Sequence, residues 1–225
     1  MVRVKICGVT SLDDAIMAAE AGADLLGFNF YRQSPRFVTP ETALHMAEGL
    51  RSRFGTGAPV IVGLFVNEPV GRISVIMEQV GFRFAQLSGD ESVEMVRELH
   101  GTAYKAIRPQ NVQQAIEDAA YFSANFPLDE RIPSLLVDAY HPTLYGGTGE
   151  QASAEIALAV RARVPRLMLA GGLTPENVAE RIAAVSPWGV DVASGVEDKS
   201  SPGRKNPEKV RAFIEAVKRA IVQQN

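Results

Sequence analysis

The chain holds one cysteine among its 225 residues. It can therefore form no intramolecular disulfide, which excludes the stapled scaffold of a small secreted domain. No stretch approaches the roughly 18 uninterrupted apolar residues of a membrane-spanning helix. The opening MVRVKICGVT is too short in apolar residues, and lacks the small-residue cleavage pattern, for a secretory signal; the expected location is cytoplasmic. An excess of positive charge is also missing: 23 Lys and Arg stand against 26 Asp and Glu, a formal net charge of -3. Nucleic-acid affinity rests largely on clustered basic side chains neutralising phosphates, so the expected partner is a small molecule, not nucleic acid and not a membrane. Short-period repeats, low-complexity tracts and long charge runs are absent as well, leaving no mark of a tail or linker.

What is present is an alternation. Apolar runs of four to eight residues, VRVKIC, DLLGFNF, PVIVGLFV, RFAQLS, AYKAI, SLLVDAY, RLMLAG and GVDVAS, are separated by longer segments of helical period, beginning with SLDDAIMAAEAG and closing with NPEKVRAFIEAVKRA. Several helices open with start signals, as at Ser11 with Asp14 three residues on, and Thr174 followed by Pro175 and Asn177. Continuous apolar strands, each followed by an amphipathic helix, require a sheet covered by helices. Eight consecutive units predict one closed (β/α)8 TIM barrel over residues 1–225, in the α/β class, rather than an open doubly wound sheet.

In such a barrel the site lies at the C-terminal strand ends. The polar residues there are Cys7, Asn29, Arg32, Arg36, Asn67, Gln86, Ser88, Arg108, Gln110, Asp138 and Asp191, with the glycine loops GGTGE (Gly146 to Glu150), AGGL and ASGVE. The last two place Gly171, Gly172, Ser194 and Gly195 after the seventh and eighth strands, where backbone N–H groups can converge on a phosphate. Turn geometry alone would also account for either pair of glycines. Cys7 ends the first strand beside Gly8, which would let a substrate approach. A lone thiol is ordinarily a small buried hydrophobe, but at a barrel mouth, ionised by nearby positive charge, it can act as a base. Lys5 lies two residues earlier on the same strand face, either as that charge or as part of a barrel layer. Asp138 follows three apolar residues, so its carboxyl must be paired or functional. Near a thiolate and an anionic substrate it would keep its proton and serve as a general acid.

The segments KICGVT, GADLLGFNFYRQSPRFVTPE, VGLFVN, LLVDAY with YGGTG, AGGLTPENV, and GVDVASGVE with PGRKN, in this order along the whole chain, resemble the phosphoribosylanthranilate isomerase family of tryptophan biosynthesis. The resemblance implies an Amadori rearrangement on a (β/α)8 barrel that uses neither metal nor cofactor. By motif it makes Cys7 the general base and Asp138 the general acid, and it matches Arg36 to the arginine contacting the anthranilate part, leaving the phosphate to Gly171, Gly172, Ser194 and Gly195. A bidentate guanidinium suits a carboxylate. The match departs at Ser88, where the family usually has histidine, and at EQASAEIA after the glycine loop.

Three other readings stand beside this one. A metal-dependent epimerase would need clustered histidines and carboxylates at strand ends, whereas His45 and His100 fall in helical segments and only His141 lies near the mouth. The histidine-pathway isomerase performs the same rearrangement with an aspartate where this chain has Cys7. A non-catalytic sugar-phosphate-binding barrel would have lost Cys7 or Asp138; both are present.

Overall fold

Each of the eight apolar runs carries β-branched or large apolar residues bounded by turn signals, and each is a strand in the computed structural model, which describes residues 2–139, 153–198 and 200–222. The strands are β1 (Arg3–Cys7), β2 (Leu25–Asn29), β3 (Val60–Phe65), β4 (Phe84–Leu87), β5 (Ala103–Ile107), β6 (Leu135–Val137), β7 (Leu167–Leu169) and β8 (Gly189–Val192). They pair in parallel in chain order, and β1 pairs with β8 to close the barrel. The helices between them are α1 (Leu12–Ala21), α2 (Pro40–Phe54), α3 (Val70–Val80), α4 (Val93–Glu98), α5 (Val112–Phe122), α6 (Ala154–Arg161), α7 (Val178–Val185) and α8 (Pro207–Val222). The predicted (β/α)8 barrel is the observed architecture.

The helices bury their apolar faces against the outside of the sheet in one large cluster. A second, smaller cluster of Leu25, Val62, Phe84, Tyr104, Leu136 and Met168 fills the barrel. Set into that filling are three buried polar side chains, Lys5, Gln86 and Asp191. No described helix is long and apolar enough to cross a membrane.

Helix starts follow the side chains that can satisfy free N–H groups. Ser11 caps α1 by accepting from the Asp14 N–H at 3.2 Å, a contact worth about 1 kcal/mol. At Thr174 the expected start is displaced: α7 begins at Val178, and Thr174 to Asn177 form a turn. The reason lies in Asn177, whose Oδ1 accepts from the Thr174 N–H at 2.8 Å while its Nδ2 donates to the Gly172 carbonyl at 2.9 Å. The side chain that would begin a helix instead knits the loop after β7. The segment of helical period ESVEMVRELHG, residues 91–101, is helix only over α4 because Glu91 is drawn away: its carboxylate accepts from the Asn67 and Gly89 N–H groups and pairs with buried Lys105.

Candidate active site

The C-terminal strand ends surround a pocket of about 790 Å³, part of it open to solvent. Cys7, Arg36, Asp138, Gly171, Gly172, Ser194 and Gly195 all line it, though they arise from β1, the loop after β2, β6 and the loops after β7 and β8. Asn29, Gln86, Ser88, Arg108 and Asp191 line it as well. Of the other shortlisted polar residues, Arg32 lies over the Phe37 ring, with its guanidinium carbon 5.6 Å from the ring centre. Asn67 organises its loop, accepting from the Asp90 N–H at 2.6 Å; neither these two nor Gln110 lines the pocket. His141 and the GGTGE loop at Gly146 to Glu150 lie outside the described residues. Among the described residues, no group of three or more His, Cys, Asp or Glu side chains is placed to hold a metal ion.

The two glycine loops form one structure. Gly171 and Gly172 sit at φ +88° and +58°, the left-handed region that costs a side chain strain. Gly195 has an ordinary φ, but a Cβ there would fall on the Leu173 carbonyl oxygen. The loop after β8 therefore packs directly on the loop after β7. Among the described residues, no loop hydrogen bond is donated by the backbone N–H of Gly171, Gly172, Ser194 or Gly195. Four donors at the head of the 3-10 turn Ser194–Val196 and in the neighbouring loop are the arrangement that suits an anion.

Arg36 departs from expectation. Its fork is closed on a carboxylate within the protein: Nε and Nη2 each donate to Glu197, at 2.8 Å. Lys205, fully buried, donates to the same Glu197 carboxylate at 2.6 Å. The two cations hold the Glu197 carboxyl below its ordinary value against the burial that raises it. Nη1 is the guanidinium nitrogen outside this clamp. Gly8 has a different task from the one expected. At φ +70° a Cβ on it would collide with the Arg36 side chain, so the missing side chain makes room for arginine across the pocket wall.

Cys7 is 5% exposed. Its sulfur has space because β2 carries glycine opposite: a Cβ at Gly27 would stand 2.7 Å from Sγ. The expectation of a readily ionised thiol is not met, since burial pushes the Cys7 thiol above its ordinary value and outweighs the charge of Lys5. Lys5 is fully buried and already engaged, donating to Asp191 Oδ2 at 3.0 Å and to Gln86 Oε1 at 2.8 Å. Tyr104 donates to the same Gln86 oxygen at 2.8 Å, and the Gln86 amide donates to Ser88 Oγ at 3.0 Å. Asp138 holds its proton more tightly than an ordinary carboxyl does. Its carboxyl is raised to about 6, chiefly because it is taken out of water, with the charge of Asp191 adding to the effect. The Ala139 N–H, donating at 2.8 Å, opposes the rise.

Sequence reasoning passed over Gly27, Asn177, Glu197 and Lys205. All four stand inside the segments that carry the family resemblance; Glu197, an acid among pocket-facing residues, is a signal for a partner cation, while Asn177 reads there as part of a helix start. The site can thus hold one proton at a carboxyl after β6, offer a thiol at the end of β1, and grip an anion on backbone donors of the β7 and β8 loops between them.

Comparison with known proteins agrees with this geometry. Residues 4–216 match the family model described as N-(5'phosphoribosyl)anthranilate (PRA) isomerase. N-(5'-phosphoribosyl)anthranilate isomerase of Geobacter metallireducens is 44% identical over 97% of this chain and 100% of its own length, and that of Trichlorobacter lovleyi is 43% identical over 98% and 100%. The crystal structure of phosphoribosyl anthranilate isomerase from Thermotoga maritima superposes with a TM-score of 0.82 at 34% identity, covering 97% of this chain and 99% of that one. A phosphoribosyl anthranilate isomerase in complex with reduced 1-(o-carboxyphenylamino)-1-deoxyribulose 5-phosphate superposes at 0.79, with the same identity and coverage.

Proposed function

Given that the chain belongs to the N-(5'-phosphoribosyl)anthranilate isomerase family, we propose how its pocket carries out that isomerisation. The reaction is the Amadori rearrangement of N-(5-phosphoribosyl)anthranilate to 1-(o-carboxyphenylamino)-1-deoxyribulose 5-phosphate, a step of tryptophan biosynthesis. In this reading residues 1–225 act as one domain in the cytoplasm, Asp138 is the general acid and Cys7 the general base.

Asp138 gives its proton to the furanose ring oxygen. The C1–O bond breaks and C1 becomes a protonated imine conjugated with the aromatic amine. That cation acidifies the C2 proton, which the Cys7 thiolate removes as the C2–H electrons form the C1=C2 bond and the C=N π pair returns to nitrogen, giving an enolamine. Protonation at C1 and loss of the 2-hydroxyl proton produce the ketone. The substrate supplies its own electron sink. Asp138 titrates lower than Cys7, so the productive form, proton on the acid and none on the thiol, is a minor one; once the acid has given its proton, the substrate cation favours the thiolate that acts next. Positioned acids and bases are typically worth about 10²- to 10⁴-fold each.

Anchoring is assigned to the two ends of the ligand. The backbone donors at Gly171, Gly172, Ser194 and Gly195 take the phosphate. Arg36 faces the anthranilate carboxylate with the nitrogen that Glu197 does not use. Holding both ends supplies orientation, a large part of what a site contributes to a one-substrate rearrangement.

The convergence of Cys7, Asp138, Arg36 and both glycine loops on one pocket carries the reading. Its test is a fluorescence assay on the anthranilate-bearing substrate, run with a chelator present. Decay of the signal in proportion to added protein is the expected result. A static change without decay would mean a binding barrel, and decay abolished by the chelator would overturn the cofactor-free mechanism.

A further inference from the structure

Cys7 and Lys5 occupy one face of β1, two residues apart, and Lys5 is in register with Asp191 on β8. The ion pair between them, at 3.0 Å, is among the most enclosed in the molecule: the Lys5 side chain has no exposure and Asp191 only 8%. Burying two charges is costly before their attraction returns any of it, and apolar residues of similar volume are often as stable there. Stability alone thus gives weak reason for the pair, and the apolar filling immediately around it shows what the barrel otherwise uses. The pair is also incompletely satisfied. Asp191 Oδ1 is buried and, among the described residues, accepts no hydrogen bond.

We propose that Lys5 and Asp191 are positioning residues that act through Cys7, as two opposed charges beneath the thiol whose balance sets how readily it gives up its proton. This rests on the assignment of Cys7 as base. A lysine alone at this depth would lower the sulfur's proton affinity and with it its strength as a base; an aspartate alone would push the thiol still further up. Together they leave a thiol that ionises when a further positive charge, the imine of the opened substrate, enters the pocket.

The other charged or titratable groups near the sulfur can be named. Lys205, from the segment after β8, favours the thiolate from beyond Ala193. Tyr104 on β5 donates its hydroxyl to Gln86, and Tyr31, which packs near Cys7, donates its own to Gln33. Arg36 crosses over Gly8 with its fork on Glu197. The facing residues of β2, β3 and the loop after β3, Gly27, Leu64 and Val66, carry no charge. Only Lys5 and Asp191 are both paired with each other and the two leading charged influences on the thiol.

Because Cys7 is the only cysteine, thiolate ultraviolet absorbance and alkylation rate against pH report on it without substrate. Asp191→Asn is expected to lower the thiol's titration midpoint, and Lys5→Met to raise it, each by about one pH unit or more, the lower end of what a charge a few ångströms away does. Since Lys5→Met strands a buried carboxylate and can fail to fold, the double variant Lys5→Met/Asp191→Asn is the second measurement. Its midpoint should return from the Asp191→Asn value toward wild type. Midpoints that stay put, that move the same way in both single variants, or a double variant that matches Asp191→Asn, overturn the proposal. If the thiol midpoints move as expected while the alkaline limb of kcat/KM does not follow, the pair's action on the thiol stands and the assignment of Cys7 as base falls.

Discussion

The two ends of the pocket are built from different materials. At the β7 and β8 end the ligand-facing surface is backbone: glycines at φ +88° and +58°, and a fourth loop residue whose missing Cβ lets one loop lie on another. On the two strands that flank these loops, at the ends of β1 and β6, it is side chains with unusual proton affinities, a thiol pushed up and a carboxyl raised to about 6. Backbone donors carry a fixed dipole at any pH, so they suit an anchor. Proton transfer needs groups whose charge can change, and burial is what brings those groups into range. The same desolvation that would be a defect in an anchor is the working principle at the other end.

This contrast is broken most severely at the reacting end. Cys7→Ser and Asp138→Asn should each lower kcat by orders of magnitude while the Michaelis constant stays within several-fold, because each removes a proton-transfer group and leaves the anchors. Steady-state kinetics on the pure variants decide it; near wild-type kcat in either refutes that role. Gly195→Ala should act in the opposite sense. Its new Cβ meets a carbonyl oxygen rather than a flexible side chain, so the loop must move, and the Michaelis constant should rise by tenfold or more with inorganic phosphate losing its power to inhibit.

Arg36→Ala lies between, raising the Michaelis constant and lowering kcat; an unchanged constant would move the carboxylate contact elsewhere. It also leaves Glu197 with Lys205 as its remaining cation. A pH series sharpens the comparison further. With Asp138 titrating near 6 and the thiol above its ordinary value, kcat/KM should rise with pH through about 6, level off, and fall as the thiol ionises. An acidic limb that survives Asp138→Asn unchanged would assign it to another group.

The smallest effect concerns stability. A carboxyl titrating near 6 when folded and near 3.9 when unfolded burdens the native state at about 1.4 kcal/mol per pH unit, close to 3 kcal/mol at most. The sign follows from the raised value: the folded chain binds the proton more tightly, so the cost is absent below about pH 4, grows between 4 and 6, and is constant above. Asp138→Asn should therefore be more stable than the wild type at pH 8, with the difference fading by pH 4. Paired denaturant titrations at the two pH values check this; equal differences at both would mean that the carboxyl is not desolvated.

The strands were legible because both faces of a barrel strand are covered, which leaves near-continuous apolar runs such as PVIVGLFV and AYKAI that a polar surface would have interrupted. Helix starts were legible at Ser11, where one side chain caps its own helix, and illegible at Thr174, where Asn177 reaches backward to Gly172 instead of forward. The positions of Cys7 and Asp138 could be read from the chain, as each follows an apolar run at a strand end. That Glu197 occupies the Arg36 fork could not, for 160 residues separate the two and nothing in either neighbourhood names the other.

By itself the sequence determined the barrel, the strand ends that face its mouth, and which polar residues stand there, since periodicity and turn chemistry are local and are written in consecutive residues. The tertiary structure decided what each of those residues is free to do. Proton affinity and hydrogen-bond occupancy depend on burial and on the partners that closure of β1 against β8 brings within 3 Å, and those quantities do not exist until the chain has folded.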